Sequence, residues 1–319
     1  MVRRHLMDLP RATRTRVQTW IEAGRVTVNG APVRRVSRRT VLGDVVSVAL
    51  PDDKARASMA AEEVGIDVIF EDDHLVAINK PAGLVVHPTY KHTSGTLLNA
   101  LLAYARTWPP PQRPSLVSRL DKLTSGVIVV AKHARAHAAL QRAMAANDCE
   151  KDYLAIVYGR VNLSRGEIDL RLAKDRADCR RVAASATVGA ESLTRFVRLD
   201  RVDAPRVGLS LLRCRLATGR THQIRVHLAA RGWPLVGDPV YGEPRWPDVD
   251  DSRLAAALRF FPRQALHAWR VAFVHPYTRA QVTIEARIPQ DFEGLLDTAD
   301  LSLVRSRTGR PDGPVREQA

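Results

Sequence analysis

The run Ser118-Arg119-Leu120-Asp121-Lys122-Leu123-Thr124-Ser125-Gly126 holds the arrangement most suited to chemistry in this chain. One carboxylate, Asp121, stands between the bases Arg119 and Lys122, and the run passes straight into the apolar stretch Val127-Ile128-Val129-Val130-Ala131. A carboxylate can serve as nucleophile or base, and a loop ending on a buried strand is a common mount for such a group. By residue type alone, Asp121 fits a surface salt bridge equally well. Thr218-Gly219-Arg220-Thr221 precedes a helix start, where backbone N–H groups, helped by Arg220, can hold a phosphate. His222 and His227, like His133 and His137 at a helical i, i+4 spacing, raise the idea of a metal. Neither pair has an H-E-x-x-H pattern or a cysteine partner, so no metal site is expected. No Gly-rich phosphate loop of the P-loop or dinucleotide type occurs, so no nucleotide cofactor is expected. Cys149, Cys179 and Cys214 are odd in number and widely spaced, which reads as three reduced thiols.

The elements around these residues carry a strong charge bias. The chain of 319 residues has a formal net charge of +15, and residues 1–60 hold 12 Lys and Arg against 5 Asp and Glu. Only 7 of the 49 basic residues are Lys, which a GC-rich genome explains, but base composition does not explain the excess of bases over acids. Such a charge attracts polyanions, nucleic acid first among them. No run approaches the roughly 18–20 apolar residues of a membrane span, and the N-terminus lacks the apolar stretch of a signal peptide. A cytoplasmic protein without membrane partners is expected.

The first 60 residues read as a separate basic α+β module. Val17, Trp20 and Ile21 give helical spacing over Arg14–Ala23, ended by Gly24, with Arg14 and Arg16 on the same helix. Arg25–Val28 alternates like a strand, Asn29-Gly30 is a hairpin signal, and strands are predicted at Val33–Val36 and Val45–Leu50. Pro51–Glu63 reads as a linker. Residues 61–295 then carry strands at Ile66–Phe70, Leu75–Asn79, Gly126–Ala131, Tyr153–Val157, Val207–Leu216 and Ala268–Val274. Helices are predicted at Thr96–Tyr104, Ala134–Ala146 and Thr221–Ala230. Strands and helices do not alternate one for one, so a mixed, largely antiparallel α+β sheet with a central cleft is expected rather than a doubly wound fold. Residues 296–319 are assigned to a flexible C-terminal tail, being poor in apolar residues from about Arg305.

Two resemblances narrow the function. Arg16 through Val33, followed by Gly43-Asp44, resembles the S4 RNA-binding domain, although the extra helix that usually precedes it is short here. Arg119-Leu120-Asp121-Lys122-Leu123-Thr124-Ser125-Gly126 resembles the central motif of RluA/RluD-type pseudouridine synthases. Asn79-Lys80-Pro81-Ala82-Gly83, Lys151-Asp152-Tyr153-Leu154, Leu216 through His227, Gly237-Asp238-Pro239-Val240-Tyr241-Gly242 and Leu266-His267-Ala268 follow the family in order, so the likeness covers about residues 14 to 290. Ser118 stands where the family usually has His, which implies altered RNA contacts. The resemblance implies a catalytic Asp121, paired by Arg225 one turn into its helix, which keeps it ionised and fixes its rotamer. It implies Tyr153 against the uracil and Arg119 entering the space left by an extruded uridine. Arg220, Thr221 and His222, with Arg14, Arg16 and Arg25 of the first module, are the implied RNA contacts. Breaking N1–C1′ and joining C5 to C1′ involves no redox change and no net hydrolysis, so no cofactor is required. The implied partner is structured RNA, 23S-type ribosomal RNA first, engaged by a monomer. Two other classes fit parts of the pattern: a non-catalytic RNA-binding protein of ribosome assembly, and a metal-dependent hydrolase, which lacks a ligand cluster.

Overall fold

The first elements build a small core of their own. In the computed structural model, which describes residues 14–41, 43–49, 60–88, 94–146, 149–175, 178, 181–203 and 206–303, helix α1 (Arg14–Glu22) buries Val17, Trp20 and Ile21. They pack with Val26 of β1 (Val26–Val28) and with Val33, Val46 and Val48 from β2 (Ala31–Val33) and β3 (Val46–Val48). Both flanking strands pair antiparallel with β1. The second strand was expected at Val33–Val36 and lies earlier. Asn29 and Gly30 both have positive φ (52° and 79°), so the two-residue turn returns the chain at once and pairs Val28 with Ala31. Arg25 is exposed, whereas the Arg14 and Arg16 side chains and Cys179 lie outside the described residues.

The chain divides into two compact units, Met1–Met59 and Ala60–Ala319. The second is organised by a ten-stranded sheet. Its strands are β4 (Val68–Glu71), β5 (Leu75–Lys80), β6 (Ser115–Leu116), β7 (Ser125–Ala131), β8 (Glu150–Tyr158), β9 (Arg165–Asp169), β12 (Leu193–Val202), β13 (Leu209–Leu216), β14 (Leu266–Val274) and β15 (Gln281–Glu285). The order is β4-β5-β7-β14-β8-β13-β12-β9, with β6 on β7 and β15 on β14, and only the β7/β14 pairing is parallel. A separate hairpin joins β10 (Arg171–Lys174) to β11 (Val182–Ser185).

The central strands are covered on both faces, so apolar residues run nearly unbroken along them. Leu154, Ile156 and Tyr158 of β8 face one core, while Ala155 and Val157 face another that holds Ile224 and Leu228. In β7, Val127 and Val129 pack against Ala136, Leu140 and Met144 of α3 (Ala134–Ala145), while Ile128 and Val130 pack against Leu97 and Leu101 of α2 (Leu97–Tyr104). Strand β8 begins at Glu150, three residues ahead of the apolar run. Its charged start is held by ion pairs, Glu150 and Asp152 with Arg215 and Arg270 at 2.6–3.2 Å, and hydropathy does not signal such pairs.

The boundary at 295/296 is corrected. Helix α5 (Gln290–Thr298) runs through it, and Leu296, Ala299 and Leu301 are buried in the same core as Leu154 and Leu254. Phe292, Leu295, Leu296 and Ala299 follow the i, i+3, i+4, i+7 spacing of a core-facing helix, so residues 296–301 belong to the folded unit. Among the described residues, no helix is long and apolar enough to cross a membrane.

Candidate active site

The Asp121 loop is fastened at both ends. On its far side it enters β7 through Gly126, whose φ is +114° and whose missing Cβ would stand 2.1 Å from the Ala268 carbonyl oxygen. Only glycine allows that approach, which brings β7 beside β14. On its near side, Lys80 is fully buried at the end of β5 and donates to Pro81 O (2.7 Å), Leu84 O (3.0 Å) and Lys122 O (3.0 Å). The backbone N–H of Gly83 also donates to Lys122 O, at 2.8 Å. The peptide next to Asp121 is thereby tied to the 80–84 turn. Burial, with the repulsion of Arg263 added, pulls the Lys80 ammonium down to about 7 against a smaller opposing pull from Asp121.

Arg225 comes from α4 (Gln223–Ala230), which begins two residues later than the expected Thr221. The delay has a local cause. His222 takes a left-handed conformation (φ 56°), and the Gln223 side chain ties down the preceding turn. Its oxygen accepts from Arg220 N (3.0 Å) and Thr218 Oγ1 (2.8 Å), and its amide donates to Leu193 O (3.0 Å). Ile224 and Leu228 point into the core and Arg225 toward the cleft.

The guanidinium of Arg225 bridges two carboxylates. Nη1 donates to Asp121 Oδ2 at 2.9 Å, while Nε and Nη2 form a fork on Asp238 at 2.7 and 2.8 Å. Asp238 Oδ1 also accepts from the backbone N–H groups of Val240 (2.9 Å) and Tyr241 (3.0 Å). The Asp238 and Arg225 side chains are 0% and 5% exposed and Asp121 is 26% exposed, so only Asp121 of the three reaches solvent appreciably. Burial alone would raise the Asp238 pKa, but Arg225 and the two backbone N–H groups outweigh it and hold the carboxyl below its ordinary value. Burial likewise opposes the charge of Arg225, and Asp238 followed by Asp121 reverses that.

Asp121 lines a cleft of about 720 Å³, within the range of roughly 300–1,000 Å³ usual for small-ligand sites. Arg119, Tyr153, Arg220, Thr221, His222 and Arg225 line the same cleft. Arg119 is exposed and hydrogen-bonds Thr221 through Nη2. Arg220, also exposed, donates through Nε to Glu191 O at 3.3 Å. Tyr153 lies on β8, where burial and then the Asp121 charge push its phenol well above the ordinary value. His222 Nε2 is 3.8 Å from Asp121 Oδ1, the oxygen opposite the one Arg225 holds. Two of the other histidines have structural work: His133 caps α3, accepting from Ala136 N at 3.1 Å, and His227 meets Thr194 Oγ1 (2.9 Å) and Leu170 O (3.1 Å).

Sequence reasoning did not single out Asp238, Tyr241, Lys80 or His87 as parts of the site. Beyond its place in the family-like run Gly237 through Gly242, Asp238 had one local signal, an acid directly after Gly237. That glycine has φ +68°, and a Cβ on it would fall 2.1 Å from Arg263 O, marking a tight turn that aims the next side chain inward. Lys80 had another, a base closing a strand that opens with four apolar residues, Leu75 to Ile78.

Comparison with known proteins gives the family. The family model described as RNA pseudouridylate synthase matches residues 74–230, and the S4 domain model matches residues 9–46. The ribosomal large subunit pseudouridine synthase D of Pseudomonas aeruginosa is 40% identical over 288 residues, covering 90% of this chain and 88% of that protein. That of Nitrosomonas europaea is 39% identical over 303 residues, covering 95% and 85%. Among solved structures, human RNA pseudouridylate synthase domain containing 4 superposes with a TM-score of 0.57 at 23% identity, over 74% of this chain and 94% of that one, and shares its fold. The chain therefore belongs to the RNA pseudouridine synthase family, isomerases that convert uridine in RNA to pseudouridine, and carries an S4 domain ahead of the synthase region.

Proposed function

We propose that this protein isomerises uridines in large-subunit ribosomal RNA, with Asp121 as its catalytic residue. The observation that carries the reading is the partly exposed end of a buried ion triad: Asp238 anchors Arg225, and Arg225 holds Asp121 by one oxygen at the wall of a nucleotide-sized cleft. The bacterial relatives, named as ribosomal large subunit pseudouridine synthases, support the choice of RNA.

In the reaction N1–C1′ breaks, the uracil turns, C5 bonds to C1′, the C5 proton leaves and N1 gains one. Asp121 acts on the ribose, by attack at C1′ or by removal of the C2′ proton, and either needs an anion with one free oxygen. Arg225 occupies Oδ2, so Oδ1 is the reacting oxygen. A fixed guanidinium also sets the carboxylate rotamer before substrate enters. Tyr153 remains a neutral phenol, since burial and Asp121 both oppose its ionisation. It therefore works as a stacking surface for the uracil, and its hydroxyl can take the C5 proton only while passing its own onward. Arg119, with few ties to the protein, enters the stack vacated by the flipped uridine, and Arg220, Thr221 and His222 line the path of the RNA. Arg14, Arg16 and Arg25 add salt-dependent affinity from the S4 domain. One chain suffices, with no nucleotide cofactor.

Tritium release from ribosomal RNA labelled at uridine C5 tests the reading. Wild type should release tritium and Asp121→Asn should not, with RNA binding retained. Release by Asp121→Asn at the wild-type rate, or binding without release by wild type, overturns it.

A further inference from the structure

Tyr241 lies at a junction that the reaction scheme leaves unused. It follows Asp238 by three residues, and its ring centre is 5.1 Å from the Arg225 guanidinium and 5.3 Å from that of Arg181. Its hydroxyl meets two nitrogens. The backbone N–H of Val182, in the β10–β11 hairpin, donates to it at 2.8 Å, and His222 Nδ1 lies 3.0 Å away. A phenol has one proton to give. With Val182 donating, the acceptor in reach of that proton is His222 Nδ1. An imidazole that accepts at Nδ1 carries its own proton at Nε2. That nitrogen is the one 3.8 Å from Asp121 Oδ1, the oxygen left free by Arg225. His222 also sits in the left-handed region at φ 56°, an uncommon setting for a residue with a side chain, and its two ring contacts help to offset that strain.

We propose that Tyr241 is a positioning residue: bonded by the Val182 backbone of the β10–β11 hairpin, it holds His222 in the Nε2–H tautomer, so that an imidazole N–H faces the reacting oxygen of Asp121. The hairpin, a separate two-stranded sheet, is thereby linked to the carboxylate through three groups, the Val182 N–H, the Tyr241 hydroxyl and the His222 ring. In this arrangement Arg225 bonds Oδ2 of Asp121, and the His222 N–H faces Oδ1 from 3.8 Å, beyond hydrogen-bond length, so Oδ1 stays free to react. Without the Val182 donor, Tyr241 would lose the bond that sets its direction and His222 could change tautomer. The proposal rests on Asp121 being the reacting carboxylate for its catalytic consequence, but the tautomer itself is a property of the free protein.

The groups facing His222 give the pH behaviour. Burial lowers its pKa first; Asp121 and Asp238 favour the imidazolium, and Arg225 and Arg119 oppose it. The Tyr241 hydroxyl occupies the nitrogen that would take the proton, and its loss frees that nitrogen.

Long-range proton–nitrogen spectra of the full chain labelled with ¹⁵N-histidine distinguish the two tautomers directly. Wild type should show His222 Nδ1 unprotonated and Nε2 protonated, identified by the signal missing from His222→Gln. Tyr241→Phe keeps the ring against Arg225 and removes only the hydroxyl. It should show a mixed tautomer, a kcat lower by roughly tenfold or more with KM for RNA within about twofold, and an acid limb of activity moved to higher pH. A wild-type spectrum with the proton on Nδ1 overturns the proposal, as does a Tyr241→Phe protein with unchanged tautomer and pH profile. Inactive wild type with the Nε2–H tautomer present would instead count against Asp121 chemistry and leave the hydrogen-bond chain standing.

Discussion

Replacing Asp238 by Asn asks whether Arg225 is anchored from behind. The substitution keeps the shape and one carbonyl oxygen, which can still accept from the Val240 and Tyr241 backbone. It removes the anion and turns an amide NH2 toward a guanidinium that now donates at 2.7 and 2.8 Å. With both side chains at most 5% exposed, water does not replace the lost charge. Two unit charges about 4 Å apart attract by about 4 kcal/mol at an effective dielectric of about 20. Stranding one member of a buried pair costs about 3–5 kcal/mol. At about 2–4 °C per kcal/mol, the melting midpoint should fall by roughly 6–20 °C in calorimetry. Arg225 then keeps only Asp121, and a displacement of about 1 Å should cut kcat by about 100-fold in tritium release with little change in RNA affinity. The pH dependence follows from the direction of the Asp238 shift. Arg225 and the backbone N–H groups, against burial, depress its folded pKa. Its stabilisation is therefore present above the ordinary carboxylate value and lost as pH falls through the folded one. The gap between wild type and variant should be level from about pH 6 to 8 and close only below about pH 4. A variant that melts within about 2 °C of wild type and turns over normally would refute the anchoring argument.

Three further perturbations separate structure from chemistry. Arg119→Ala should leave the midpoint within about 0.5 kcal/mol of wild type, because the side chain is exposed; its single-turnover rate should drop on folded RNA and much less on an unstructured oligonucleotide, and equal losses on both would remove it from base extrusion. Burial lowers His267 from 6.5 to about 4, against a partial pull upward from Ala286 O, so folded protein stays neutral there while unfolded chain protonates below about pH 6.5. Up to about 3 kcal/mol of stability should vanish as pH falls from about 6.5 to 4, and denaturant titrations of His267→Gln should lack that slope. Gly126→Ala combines a disallowed φ with a collision on Ala268 O and should cost more than about 2 kcal/mol, read as a lowered denaturation midpoint; an unchanged midpoint would mean that β7 and β14 need no close approach.

Most of the fold was legible where burial alone decides it. Strand β7, helix α3 and helix α2 lie where apolar spacing predicts them, since each packs a mainly apolar face. The misreadings have a common origin in polar groups that fold back on the protein. Strand β8 starts early because Glu150 and Asp152 find Arg215 and Arg270, partners more than sixty residues away. Helix α4 starts late because Gln223 binds the preceding turn. The β10–β11 hairpin carries Arg171 and Lys174 between modest apolar residues and offers no periodicity strong enough to stand out.

The site divides along the same line. Asp121 and Arg225, 104 residues apart, could be paired in advance only because family motifs name both; nothing in spacing joins them. What supports the pair was hidden for a physical reason. Asp238 and Lys80 are charged residues at nearly zero exposure, and a sequence read by hydropathy assigns charges to the surface. Their burial is tolerable because each is fully partnered, Asp238 by a guanidinium fork and two backbone N–H groups, Lys80 by three carbonyls. Those partners hold still both the peptide beside Asp121 and the guanidinium that grips it. The one member of the triad left partly in water is the one proposed to present its second oxygen to a ribose, and on that proposal the rigidity lies behind the reacting group and the freedom in front of it.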